Sequence, residues 1–306
     1  LIMSDIFTKP KTDLHAHMAL SAPFKTYELL AGRELVKPKK KYRDLKEFLD
    51  YVHMDVLPAF ENPDATRTIL KESLNVMVNA GVNYTELSFD LVCALAAGQQ
   101  WDEFVEDCKS IINELSGKIV VVPELGVRRE SEEGFWRREV PKALNTGFFR
   151  SIDLYGDESA ASVDQYIDYF NWGRDAGAKI KFHIGEISDP EKIKYEIRKI
   201  NPDAIQHGVR ASEDQEAMEM IANRGINVNV CPTSNVCLSV TKDYRTHPIR
   251  ALFDAGCRVT LNSDDYSVFG VTANDEYRIM YEEGIFNLEE LEQIRVNGIM
   301  AGTFFD

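Results

Sequence analysis

Residues 162–208 read SVDQYIDYFNWGRDAGAKIKFHIGEISDPEKIKYEIRKINPDAIQHG. The stretch opens with a helical pattern over Ser162–Ala176, closes it at Gly177, and passes at once into the short apolar run Ala178–His183. A second helical pattern, Pro190–Ile200, leads to a second short run, Ala204–His207. Strand, helix, strand in this order is the parallel β–α–β unit. Each run ends on a histidine, so the polar chemistry falls where the strands stop.

The same alternation extends outward in both directions. Further strands are predicted at Lys11–His17, Val82–Asp90, Lys118–Gly126, Phe149–Tyr155, Ile226–Val230 and Arg258–Asn262. Helical patterns fall at Asn62–Ala80, Trp101–Leu115, Glu132–Asn145, Ser212–Asn223 and His247–Ala255; in the first, Ile69, Leu70, Leu74, Met77 and Val78 recur at helical spacing. Gly81, Gly147, Gly177, Gly225 and Gly256 each stand between a helix and the next strand. Eight such units predict an α/β fold, a (β/α)8 TIM barrel, as one domain over residues 1–306. The open doubly wound sheet is the competitor, but no G-x-G-x-x-G follows an early strand. About 60 residues separate the first two strands, including the helical Tyr42–Leu57, so extra helices inserted after strand 1 are expected as a lid. The run Lys37-Pro-Lys-Lys-Lys41 lies in this insertion.

Composition narrows the function. The 306 residues carry 35 Lys and Arg against 50 Asp and Glu, a net charge of −15. That balance argues against a nucleic-acid polymer or an anionic membrane as partner. No apolar stretch approaches the roughly 20 residues of a spanning helix, and the first residues lack a signal-peptide core. Five scattered cysteines without a C-x-x-C pair read as reduced thiols, so a cytoplasmic enzyme is expected.

Of six histidines, four fall at predicted strand ends: His15, His17, His183 and His207. Barrel enzymes keep their chemistry on that face. His15 and His17, two apart on a strand, point the same way. Strand 8 ends in Asn262-Ser263-Asp264-Asp265. Three imidazoles and a carboxylate make a zinc shell with a position open for water. Taken singly, each has a plain structural reading, such as a helix cap at Asp264; together at the mouth of strands 1, 5, 6 and 8 they point to a catalytic metal.

The chain resembles the adenosine deaminase family of the metal-dependent amidohydrolases. The resemblance rests on Lys11-Thr-Asp-Leu-His-Ala-His17, Ile152-Asp-Leu-Tyr-Gly-Asp-Glu158, His183-Ile-Gly-Glu186, Gln206-His-Gly208, Cys231-Pro-Thr-Ser-Asn235, His247-Pro-Ile-Arg250 and Leu261-Asn-Ser-Asp-Asp265, in that order. It implies one Zn2+ per chain on His15, His17, His183 and Asp264. Glu186 would protonate the purine ring nitrogen beside the reacting carbon, and His207 would orient and help deprotonate the attacking water. Asp265 and the backbone N–H of Gly156 would hold the purine, with Gly185 also at the substrate.

The implied reaction is hydrolytic deamination of an adenine nucleoside, adenosine or deoxyadenosine, to its inosine counterpart with release of ammonia. The region Ser151–Tyr155 lacks the lysine of two-metal relatives, and the H-x-E with P-C-x-x-C of cytidine-type zinc deaminases is absent. One departure bears on substrate. Where the family continues H-x-H with Leu-Asp-Gly, whose acid receives the ribose 5′-hydroxyl, this chain has Met18-Ala19-Leu20. A 5′-phosphorylated or 5′-modified adenine nucleoside, or free adenine, is therefore the alternative, with Lys25, Arg33 or the Lys37–Lys41 run as phosphate partners. A non-enzymatic purine-binding protein would be expected to lack Glu186 or His207, and both are present. The motifs carry no information on oligomeric state.

Overall fold

The computed structural model describes residues 6–303. Eight parallel strands run in sequential order: β1 (Lys11–His17), β2 (Val82–Asp90), β3 (Val120–Arg128), β4 (Ser151–Tyr155), β5 (Lys179–Ile184), β6 (Ala204–His207), β7 (Asn227–Val230) and β8 (Arg258–Leu261). The ring closes just beyond β8, where Ala16 bridges Asp264 and the Asp264 N–H donates to the His15 carbonyl at 2.9 Å. The expected TIM barrel is thus the observed architecture.

Gly177 shows why the punctuation was readable. Its φ of 72° is left-handed, and the helix ahead of it, Ile167–Asp175, ends there so that Lys179 can begin β5. That helix is shorter than expected, because its first turn, Val163–Tyr166, winds as a 3-10 turn capped by Ser162. β3 lies two residues further along than predicted. The charged Arg128 looks like loop in sequence, yet it is the last residue of the strand, paired with Tyr155 of β4 in register.

The insertion after β1 is helical but broken. Helices Phe24–Ala31 and Leu45–Tyr51 are followed by a wide turn at Val52–Val56 and a 3-10 turn at Leu57–Glu61. Asp44 caps the second helix by accepting the Glu47 N–H. Pro58 lacks an N–H and so helps end the regular winding. Phe48 stacks on Phe269 beyond β8, with centroids 5.6 Å apart, which folds the insertion across the barrel mouth.

Below the mouth the barrel interior is ionic. Lys181 of β5 meets Glu86 of β2 at 3.0 Å and Glu124 of β3 at 2.6 Å, and donates to the Leu14 carbonyl at 2.8 Å. Lys179 meets the other Glu86 oxygen at 2.6 Å. All are buried. Losing one partner would leave a buried charge uncompensated, so the network holds strands 1, 2, 3 and 5 in one register. The helix Leu288–Gly302 covers β8 and β1 from outside. Among the described residues no helix is long and apolar enough to cross a membrane, and all five cysteines are free.

Candidate active site

His15 and His17 leave β1 on the same side, and His183 enters from β5; their ligating nitrogens lie within 4.8 Å of one another. Asp264 completes the group, its Oδ1 3.6 Å from His15 Nε2 and 3.4 Å from His17 Nε2. Asp264 holds a left-handed φ of 59° to aim its carboxylate there, strain that the closing bridge to β1 sustains.

The residues fit a zinc ion. His15 Nε2 is buried with no hydrogen-bond partner among the described residues. The opposite nitrogens of two of the rings are tied back: His15 Nδ1 lies 3.2 Å from the Asn229 carbonyl, and His183 Nδ1 lies 3.2 Å from Asp153 Oδ1. Such outer partners orient a metal-binding imidazole. Burial, reinforced by the neighbouring histidines, holds His15 well below the usual imidazole range and His17 at about 3, so both are neutral, the ligating form.

His207, at the end of β6 with φ 62°, stands over this group, its Nε2 3.7 Å from Glu186 Oε1 and 3.9 Å from Asp264 Oδ2. Its tautomer follows from a chain that begins at a backbone donor. The Ile249 N–H donates to His247 Nδ1 at 3.0 Å, so the neutral His247 carries its proton on Nε2. That Nε2–H donates to Asn235 Oδ1 at 3.2 Å, which turns the Asn235 amide toward His207 Nδ1, also at 3.2 Å. His207 Nδ1 is therefore an acceptor, and its proton sits on Nε2, facing the metal group.

Glu186 lies in the loop after β5. Burial raises its carboxyl well above the usual range, and the charges of Asp264 and Glu158 add to this. Asp265 is raised in the same way, by burial first and then by Asp264 and Glu186, and its Oδ1 has no partner among the described residues. Two carboxyl groups with raised proton affinity thus face the cavity.

Glu158, whose role the sequence did not reveal, shapes the Glu186 loop. Its carboxylate accepts the N–H groups of Gly185 at 3.1 Å, Glu186 at 2.8 Å and Ser188 at 2.9 Å. Gly185, expected at the substrate, has a structural part in this loop. Its N–H is engaged by Glu158, its φ is 80°, a Cβ there would lie 2.7 Å from Ile193 Cδ1, and it does not line the cavity. Gly156 does line it, and its φ of 94° is a conformation that favours glycine.

The cavity runs from the metal group to an apolar roof of Leu45, Phe48, Leu49, Val52 and Leu57 from the insertion, with Ala19 and Leu20 beside His17. The basic residues proposed from sequence lie elsewhere. Lys25 pairs with Glu28 at 3.1 Å, Lys39 pairs with Glu47 at 2.6 Å, Arg33 bonds the Glu34 carbonyl, and Lys41 bonds the Lys242 carbonyl. None of these lines the cavity; the cation that does is Arg128, 3.0 Å from Asp90. A second, more open cavity adjoins the first across Leu49, His53 and Arg128, and is lined by Asp50, Glu130, Glu132 and Asp157.

Known proteins share this pattern. Residues 12–306 match the sequence profile of the family described as adenosine deaminase. A Treponema pallidum protein named an adenosine/adenine deaminase is 28% identical over 278 residues, covering 91% of this chain and 93% of its own. A Rhizobium meliloti adenine deaminase is 29% identical over 308 residues, covering 95% and 93%. Among solved structures, an amidohydrolase from Burkholderia ambifaria with bound Zn superposes with a TM-score of 0.86 at 19% identity, covering 99% of this chain and 88% of its own. The N6-methyl-AMP deaminase of Arabidopsis thaliana gives 0.82 at 19%, covering 100% and 95%.

Proposed function

From the premise that this chain belongs to the adenosine deaminase family, hydrolases acting on C–N bonds, we propose that it hydrolyses the exocyclic amine of an adenine ring. The products are the hypoxanthine counterpart and ammonia. The observation that carries this reading is the convergence of His15, His17, His183 and Asp264 beside two buried carboxyl groups that line the same cavity, Glu186 and Asp265.

His15, His17, His183 and Asp264 would hold one Zn2+, as the bound Zn of the Burkholderia structure also suggests. When bound, the ion supplies a Lewis acid that lowers the pKa of water to about 7. The protein groups do the rest. Glu186 gives its proton to the ring nitrogen beside the reacting carbon, which relieves the electron pair that water displaces onto it. His207, with its proton on Nε2, donates to the attacking oxygen and orients it. Asp265 fixes the ring through its imidazole nitrogen. Addition of the water oxygen to the carbon comes first. Of the water's two protons one returns to Glu186 and the other goes to the amine, which leaves as ammonia when the carbon–nitrogen bond breaks. The proton given by Glu186 stays on the ring nitrogen of the product.

A 5′-phosphate finds little support. Arg128 already faces Asp90, and the adjoining cavity presents Asp50, Glu130, Glu132 and Asp157 against Arg128 and one lysine, Lys46, which pairs with Asp50 at 2.6 Å. Like charges there would disfavour a dianion. The test is ammonia release by the zinc-loaded protein from adenine, adenosine, deoxyadenosine and their monophosphates. Release from none of them would overturn the reading.

A further inference from the structure

The wall of the cavity formed by β2, β3 and β4 has no part in the chemistry just described. Asp90, Arg128 and Tyr155 end these strands, and all three line the cavity. Asp90 is fully engaged: Oδ1 accepts Val92 N–H at 2.9 Å and Cys93 N–H at 2.8 Å, while Oδ2 accepts the Tyr155 hydroxyl and faces Arg128 Nε at 3.0 Å. Arg128 is thereby pinned and its charge offset. Its Nη1 and Nη2 make no hydrogen bond to a described residue, although the side chain is only 16% exposed. With Nε held at Asp90 the planar fork is fixed, and it suits two acceptors side by side.

Resting on the adenine-ring reading above, we propose that Arg128 is a specificity-determining residue that reads the unsubstituted N3/N9 edge of free adenine. A ring with its amine-bearing carbon at the metal group, one nitrogen at Glu186 after β5 and its imidazole nitrogen at Asp265 after β8 turns the remaining edge toward β2–β4. There Arg128 would share N3 with the Gly156 N–H expected at the purine and take N9 alone. In the N7–H form of the free base, N3 and N9 both carry in-plane lone pairs, and N7–H faces the Asp265 carboxyl. A sugar on N9 removes one acceptor and occupies the space before the fork. The walls that would otherwise serve a sugar are apolar: Ala19, Leu20, Leu49 and Val52. A site built to satisfy a polar group discriminates strongly when the partner is missing.

The experiment compares adenine, 9-methyladenine, adenosine and AMP with the zinc-loaded enzyme and with Arg128→Met. Because that change strips Asp90 of its cation, the pair variant Asp90→Asn with Arg128→Met is measured alongside. The wild type is expected to favour adenine over 9-methyladenine and adenosine by about 100-fold or more in kcat/KM. Arg128→Met should raise the adenine KM by about 10- to 100-fold with a smaller change in kcat, and narrow the gap to 9-methyladenine. Adenosine turned over as well as adenine, or an adenine KM untouched by both variants, overturns the assignment while leaving the deaminase reading intact. If nothing in the panel releases ammonia, the deaminase reading fails, and calorimetric binding of adenine then decides Arg128. Tenfold weaker binding in the variants supports the assignment, and equal binding overturns it.

Discussion

The Glu158 carboxylate accepts the backbone N–H of Glu186 at 2.8 Å, so one buried acid both positions the proton donor and raises its proton affinity. The groups facing Glu186 are Asp264, Asp265, His207 and Glu158. Glu158→Gln removes one negative charge and one of the two oxygens that accept the loop's N–H groups. Glu186 must be protonated to act, so activity falls as pH rises through its raised pKa. The variant should lose that proton at lower pH, shifting the alkaline limb of the rate profile downward, with kcat reduced about 10- to 100-fold and KM little changed. An alkaline limb that stays put or rises would show that Glu158 acts on folding alone.

The chain Ile249 N–H, His247, Asn235, His207 fixes a proton on His207 Nε2. Asn235→Asp replaces the amide donor by an acceptor and pulls that proton to Nδ1, which should lower kcat by about 100-fold. His247→Gln keeps a donor toward Asn235 and should recover most of the activity lost in His247→Leu. Equal activity in Gln and Leu variants would remove the relay from the account.

Glu276 is buried against the first turn of the helix Pro232–Cys237, accepting the Thr233 N–H at 2.8 Å, and burial raises its carboxyl to about 8. The folded state keeps this proton between the unfolded value near 4.5 and 8, while the unfolded chain loses it. Stability from this group is therefore complete below about pH 4.5 and declines as pH rises, by about 3 kcal/mol at pH 7. Glu276→Gln, neutral at every pH, should flatten the fall in urea-unfolding stability between pH 5 and 8. A slope unchanged from wild type would place the charge elsewhere.

Much of this was readable from sequence because the signals were local. The β8 tail Asp264-Asp265 and the His15–His17 pair are short motifs, each at the end of a predicted strand. Glycine 177 and its counterparts marked the joints between helix and strand. What stayed hidden depends on contacts between distant segments. Glu158 gives no sign in sequence that it caps the loop of Glu186, 28 residues on. Arg128 looked like loop because its charge is answered only by Asp90 on the neighbouring strand. The broken winding at Val52–Val56 follows from packing over the barrel mouth rather than from periodicity.

Metal removal should be visible in stability as well as activity. His15, His17, His183 and Asp264 come together only in the folded chain, so linkage stabilises the native state by about 3 kcal/mol at 100-fold excess over Kd. Chelation should then lower Tm by roughly 5–10 °C, and elemental analysis of the reloaded protein should give one zinc per chain. His183→Ala should abolish both the metal content and the shift. A shift of the same size in His183→Ala would contradict the assigned ligands.

The most direct test is the fate of Glu186→Gln in the zinc-loaded protein. Ammonia release from the best adenine substrate is predicted to fall by about 1000-fold or more, with zinc content intact and hypoxanthine still bound within a few-fold of wild type. Turnover within tenfold of wild type would mean that another group protonates the ring, and the proposed division of labour at this site would be wrong.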